Sequence, residues 1–151
     1  MSDGLEVPDD WAAKSNSNTQ NMKLTFSSYP LAEGHYVATC LSDRPDPRGV
    51  NPLARVLDDD GGLGSNHAIA WIDEGKMLAL DAIRGVPGPL RWAREYFFVE
   101  MDGNQTVATS EDDPSCTEVV STEAFLSALE AWQAFLVAGP CVEPTTVEIV
   151  G

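Results

Sequence analysis

Three residues with the side chains of a hydrolase occur in a usable order along this chain: Cys40, then His67, then Asp81. A thiol nucleophile, an imidazole base and a carboxylate that orients the base are the groups such chemistry needs. The segment Asn66-His67-Ala68-Ile69-Ala70 reads as one arm of a hairpin that returns through Leu80-Asp81-Ala82, which would set base and orienter on neighbouring strands. The nucleophile is the weak member. A reactive cysteine needs a lowered pKa, often supplied by a helix N-terminus. Cys40 instead closes a β-rich run and precedes the Pro-rich stretch Ser42-Asp43-Arg44-Pro45-Asp46-Pro47-Arg48-Gly49. Cys116 and Cys141 follow the histidine and cannot restore the order. The plainer role for His67 is a strand-start histidine bonded to a neighbouring backbone group.

Metal and phosphate chemistry fit less well. Asp58-Asp59-Asp60-Gly61 lacks the alternate ligand spacing of a calcium loop, and three adjacent carboxylates point in different directions. A zinc nucleobase deaminase needs His-x-Glu and Pro-Cys-x-x-Cys. Here Ile69 stands at the glutamate position, and Pro140-Cys141 has Pro144 where the second cysteine belongs. Gly61-Gly62-Leu63-Gly64-Ser65 has no phosphate-binding lysine, and three aspartates beside it disfavour a nucleotide. No cofactor is expected.

Acid is the more informative chemistry. The 151 residues hold 24 acidic against 9 basic side chains, a net charge of −15. Residues 1–100 contain 15 acidic and all 9 basic residues, net −6, while residues 101–151 contain 9 acidic residues and no Lys or Arg, net −9. Such a chain is not expected to bind nucleic acid or an anionic membrane through a basic surface. It suits a basic partner. Asp58-Asp59-Asp60, Asp73-Glu74 and Glu111-Asp112-Asp113 all fall in expected turns. If the fold gathers those turns, they form a negative face that attracts a cationic protein and speeds its capture. Trp92 and Tyr96, read as exposed aromatics, would supply the anchoring burial.

The elements that must position these groups follow from periodicity. Phe125, Leu129, Trp132 and Leu136 recur at the spacing of one helical face, widened by Ala128 and Phe135. Ser121 or Thr122 can cap the start, Glu123 suits the positive end of the dipole, and Gly139-Pro140 ends the helix. After Pro144, Thr145 to Val150 is β-branched and alternating, a closing strand. Upstream, Lys23–Phe26 and His35–Leu41 read as strands, and Pro52–Leu57 as a helical turn or two. His67–Ile72 and Lys76–Asp81 read as a hairpin about Asp73-Glu74-Gly75. Arg84–Arg91 reads as a loop, Tyr96–Glu100 and Gln105–Ala108 as a second hairpin through an Asp-Gly step, and Val119-Val120 as a lead into the helix. The expectation is one α+β domain over residues 22–151: a mostly antiparallel sheet covered on one face by the C-terminal helix. Residues 1–21 read as a flexible polar tail. Three thiols without CxxC spacing suit a reducing cytoplasm, the acidic Met1–Asp10 is no secretory leader, and no apolar run approaches the ~20 residues of a membrane span.

The aromatic group Tyr96-Phe97-Phe98 is followed by Val119, by Ala128-Leu129 and Phe135-Leu136 in the helix, and by Gly139, Pro144 and Val147-Glu148-Ile149. This pattern of core and turn residues, over the last third of the chain, resembles the first-numbered immunity-protein family of bacterial polymorphic toxin systems. Ile149 stands where that family usually has Trp, the Gly-to-Pro spacing is longer, and the first hundred residues do not take part. The resemblance implies a role and no functional residue: a non-catalytic cytoplasmic antidote, monomeric and binding 1:1 to the active site of a basic toxin that acts on nucleic acid, such as a deaminase or nuclease. Two rivals remain at this level, a papain-like cysteine hydrolase using Cys40, His67 and Asp81, and an acidic nucleic-acid mimic.

Overall fold

The apolar stripe of the C-terminal helix meets two sheets. The computed structural model describes residues 21–32, 34–44 and 49–150, and the expected tail lies outside these except for Asn21. In chain order the elements are β1 (Asn21–Ala32), β2 (His35–Ser42), α1 (Pro52–Asp58), α2 (Ser65–Ile83), β3 (Leu90–Ala93), β4 (Phe97–Asp102), β5 (Gln105–Ser110), β6 (Thr117–Ser121), α3 (Thr122–Ala138) and β7 (Thr145–Val150). One sheet has the order β2-β1-β7, the other β3-β4-β5-β6, and every pairing is antiparallel. The class is α+β, with two sheets in place of the single one expected.

Helix α3 starts and stops where its chemistry dictates. The Ser121 hydroxyl accepts from the Ala124 N–H at 3.0 Å, and Gly139 follows the last turn with φ 88°. Its first half faces the four-stranded sheet, where Phe125 meets Trp92 edge-on at 6.1 Å between centroids. Its second half faces the three-stranded sheet, where Trp132 and Phe135 hold Phe26 at 5.1 and 5.4 Å. Burying a side chain of this size contributes about 1.5–3 kcal/mol. That outweighs the few tenths of a kcal/mol of a surface ion pair, so α3 needs no basic residue beside Glu123 and Glu130. Its start is also latched to the β4–β5 turn: buried Thr122 bonds Thr106 at 2.9 Å and donates to the Gly103 carbonyl at 2.7 Å.

Three local expectations are corrected. His67–Asp81 is no hairpin; the whole stretch is α2. Its buried residues Ala68, Ile72, Gly75, Ala79 and Ala82 fall at helical spacing. Gly75 looked like a turn glycine but serves close approach: a Cβ there would stand 2.9 Å from the Trp92 ring. The Arg84–Arg91 loop gives way to β3 at Leu90, and Val119-Val120 belongs to β6, with Val120 opposite Thr106.

Gly75→Ala tests this packing. Ala favours a helix over Gly by about 1 kcal/mol. Overpacking against Trp92, which Phe125 and Arg94 confine, is expected to reverse the sign and lower stability by about 1–3 kcal/mol in urea unfolding followed by fluorescence. A stabilised variant would refute it.

Candidate functional site

The end of α1 and the β3–β4 connection form the two walls of one acidic cleft. Pro52 opens α1 at a position where its missing N–H costs nothing, and Leu53, Val56 and Leu57 bury its apolar side. The helix therefore delivers Asp58 inward. Its carboxylate accepts from the Cys40 N–H at 3.0 Å and from the Arg55 guanidinium at 2.9 Å. Asp59 turns the chain by accepting from the Gly61 N–H at 3.1 Å, and Asp60 does the same for Gly62 at 2.8 Å. Gly61 and Gly62 take positive φ of 64° and 78°, which their lack of a Cβ permits.

Asp59 also reaches across the cleft, accepting from the Tyr96 N–H at 2.8 Å. The Tyr96 carbonyl in turn accepts from the Glu111 N–H at 2.9 Å, and Glu111 pairs with Arg91 at 3.2 Å. Two of the three acidic segments thus meet around Tyr96. The cleft measures about 380 Å³ and is lined by Arg55, Asp58, Asp59, Asp60, Gly61, Gly62, Glu95, Tyr96 and Phe97. Four carboxylates face one guanidinium there. The Tyr96 ring stands at the rim, 62% exposed.

A buried cation lies behind this wall. Arg94 donates from Nε to the Val56 carbonyl at 3.0 Å, and its guanidinium sits 4.1 Å from the Trp71 ring centre and 4.6 Å from that of Trp92. Burial lowers its pKa to about 10, against the pull of Asp59, Asp60 and Asp58, so it stays charged at neutral pH. Asp58 is pushed up to about 6, first by burial, with Arg55 and the Cys40 N–H opposing and Asp59 and Asp60 adding to the rise.

The other expected site residues sit elsewhere. Asp73 and Glu74 are on α2, not in a turn; Asp73 accepts from the Gln133 amide at 2.8 Å and ties α2 to α3. Trp92 is 2% exposed and belongs to the core, so it cannot anchor a partner. Asp112 and Asp113 shape the β5–β6 loop, where Asp113 accepts from Ser115, and they do not line the cleft. Cys40, His67 and Asp81 are not brought together. His67 lies on the first turn of α2 against Trp71, and Asp81 lies 14 residues along the same helix, about 21 Å away at 1.5 Å per residue. The Cys40 thiol is fully buried, and burial followed by Asp58 raises its pKa far from thiolate formation. Sequence reasoning missed Arg55, Arg94 and Glu95. Their signal is tertiary, because Trp71 and Val56 reach Arg94 only in the fold.

Among the described residues no cluster of His, Cys, Asp and Glu could hold a metal ion, and no helix is long and apolar enough to cross a membrane. No protein-family model matches the chain, and neither the curated proteins nor the solved structures provide a match.

The raised pKa of Asp58 makes a signed prediction. Folded Asp58 titrates near 6 against an ordinary 3.8, so between those pH values the folded state keeps a proton that the unfolded state has released. Stability from this group is greatest below about pH 4 and falls as pH rises to about 6, by up to about 3 kcal/mol. Urea unfolding between pH 4 and 7 should show the loss, and Asp58→Asn should flatten it. An unchanged slope in that variant would transfer the effect to Glu118, whose carboxyl is also raised by burial.

Proposed function

We propose that this protein is a non-catalytic immunity protein: a cytoplasmic antidote that binds one basic toxin domain and blocks its active site. The observation that carries the reading is the convergence of Asp58, Asp59, Asp60 and Glu95 on one cleft with an exposed tyrosine at its rim. A toxin that grips phosphates lines its own cleft with Lys and Arg. A projecting Lys or Arg of such a toxin fits between the α1 terminus and the Tyr96 segment, where charge-assisted bonds to carboxylates are strong. Tyr96 has the size and amphipathic character of an interface anchor. The remaining acids raise the association rate more than the affinity. The likeness of the last third of the chain to an immunity-protein family supports the same role, and a nucleic-acid-targeting deaminase or nuclease is the kind of toxin that both lines of argument favour.

The test is capture from the native host with this chain as bait, at low and at high salt. One basic toxin domain should be recovered in 1:1 stoichiometry. Raising salt to physiological strength should slow its association several-fold as the Debye length shrinks to about 8 Å. Tyr96→Ala should weaken binding by about 2 kcal/mol or more. Competition with DNA for several unrelated basic proteins would replace this reading with a nucleic-acid mimic. Cleavage of a thioester probe that depends on Cys40 would replace it with a hydrolase.

A further inference from the structure

Strand β2 is the outer strand of its sheet, and helix α1 covers only part of its free edge. In an antiparallel ladder alternate residues aim their N–H and C=O towards the neighbouring strand and away from it. Three contacts with the α1 region fix the direction here. The Cys40 N–H donates to Asp58 at 3.0 Å, the Arg55 guanidinium donates to the Cys40 carbonyl, and the Ser42 N–H donates to Asn51 at 3.4 Å. The even-numbered residues of β2 therefore face outward. The partner strand agrees: Pro30, opposite Tyr36, has no N–H to give to β2. By the same parity Tyr36 and Ala38 aim two N–H and two C=O groups outward. Among the described residues nothing bonds to them.

The side chains of the same two residues border a hollow on the face of the sheet that α3 covers. A space of about 290 Å³ over the sheet face is lined by Ser28 of β1, opposite Ala38, together with Tyr36, Ala38, Ser65 and the end of α3 from Phe135 to Val137. A smaller cavity continues from it past Ala38 to Asp58 and Asp60. Tyr36 is 54% exposed. The edge thus combines strand-type hydrogen-bonding groups, unpaired among the described residues, with a carboxylate pair, Asp58 and Asp60, close to Ala38 where α1 closes it.

We propose that the Tyr36–Ala38 edge of β2 takes an extended segment of a basic partner protein as an added strand. Backbone bonds to Tyr36 and Ala38 would hold the segment, and a Lys or Arg at its end would meet Asp58 and Asp60. Charge selects this occupant over a second copy, since two chains of net −15 repel. The inference goes beyond the immunity reading, because any basic protein with an extended segment satisfies it.

The test uses the full chain and an acetylated, amidated octapeptide of alternating Lys and Val, with amide hydrogen exchange read by NMR. The Tyr36 and Ala38 amides should exchange fast in the free chain and slow about tenfold or more with peptide, while Val37 and Thr39, bonded to β1, serve as internal references. The same peptide N-methylated at every residue keeps its charge but has no N–H donors, and it should give no protection. Ala38→Pro removes one outward donor at an edge position that tolerates proline, and it should weaken binding about tenfold. Three results would overturn the proposal: no slowing at Tyr36 and Ala38, equal protection by the N-methylated peptide, or protection already complete in the free chain. In the last case, dependence on protein concentration would identify a second copy as the occupant, and independence a segment of the same chain.

Discussion

The edge of Phe26 against Trp132, at 5.1 Å between ring centres, is the contact on which the arrangement of the molecule depends. Phe26 lies on the middle strand of its sheet, so holding it to α3 sets the level of β2 and β7 as well. Trp132 stacks in turn on Phe135, which also touches Phe26, and the three rings leave little freedom for the helix to slide. Seven residues before Trp132 on α3, two turns away, Phe125 meets Trp92 of the second sheet. One helix thereby relates two sheets that share no strand. The buried Thr106–Thr122 bond adds a polar latch at the helix start, and a misplaced helix would leave both hydroxyls unpaired in the core.

That constraint reaches the acidic cleft through Trp92. The ring is confined by Phe125, by the close backbone of Gly75 and by the guanidinium of Arg94. Arg94 then fixes the start of the Glu95-Tyr96-Phe97 wall and places a buried positive charge behind four carboxylates. Without a cation nearby, Asp58, Asp59, Asp60 and Glu95 would repel one another at close range. Arg55 and Arg94 offset part of that repulsion, and the excess stays negative on the side open to solvent. The raised pKa of Asp58 is the residue of the same contest, with burial outweighing Arg55.

Helix α1 serves two surfaces at once. Asp58 covers the outward N–H of Cys40 on the β2 edge and also walls the acidic cleft. An uncovered edge strand is a template for further pairing, which natural sheets commonly block with short helices, loops and charge. Here the blocking stops after Cys40, and the next two outward positions, Ala38 and Tyr36, have no backbone partner on that side among the described residues.

Much of this architecture was legible in the chain itself. The stripe from Phe125 to Leu136, its Ser121 cap and Gly139 stop, the Asp-Gly hairpin and the closing Thr145–Val150 strand are local patterns, and local patterns survive without tertiary context. The α2 helix was legible in principle, since Ala68, Ile72, Ala79 and Ala82 keep helical spacing, but Asp73-Glu74-Gly75 imitates a turn. Only packing distinguishes a glycine that bends a chain from one that admits a tryptophan. The acidic site divides in the same way. The carboxylates of Asp58, Asp59, Asp60 and Glu111 are plain in the composition. Tertiary structure decided which of them meet, buried Trp92, exposed Tyr96, drew Asp73 into a helix–helix contact and kept Cys40, His67 and Asp81 apart. Spacing along the chain sets what one helix or strand can present. Which faces then meet depends on burying Phe26, Trp92, Phe125 and Trp132 together, and no local pattern encodes that.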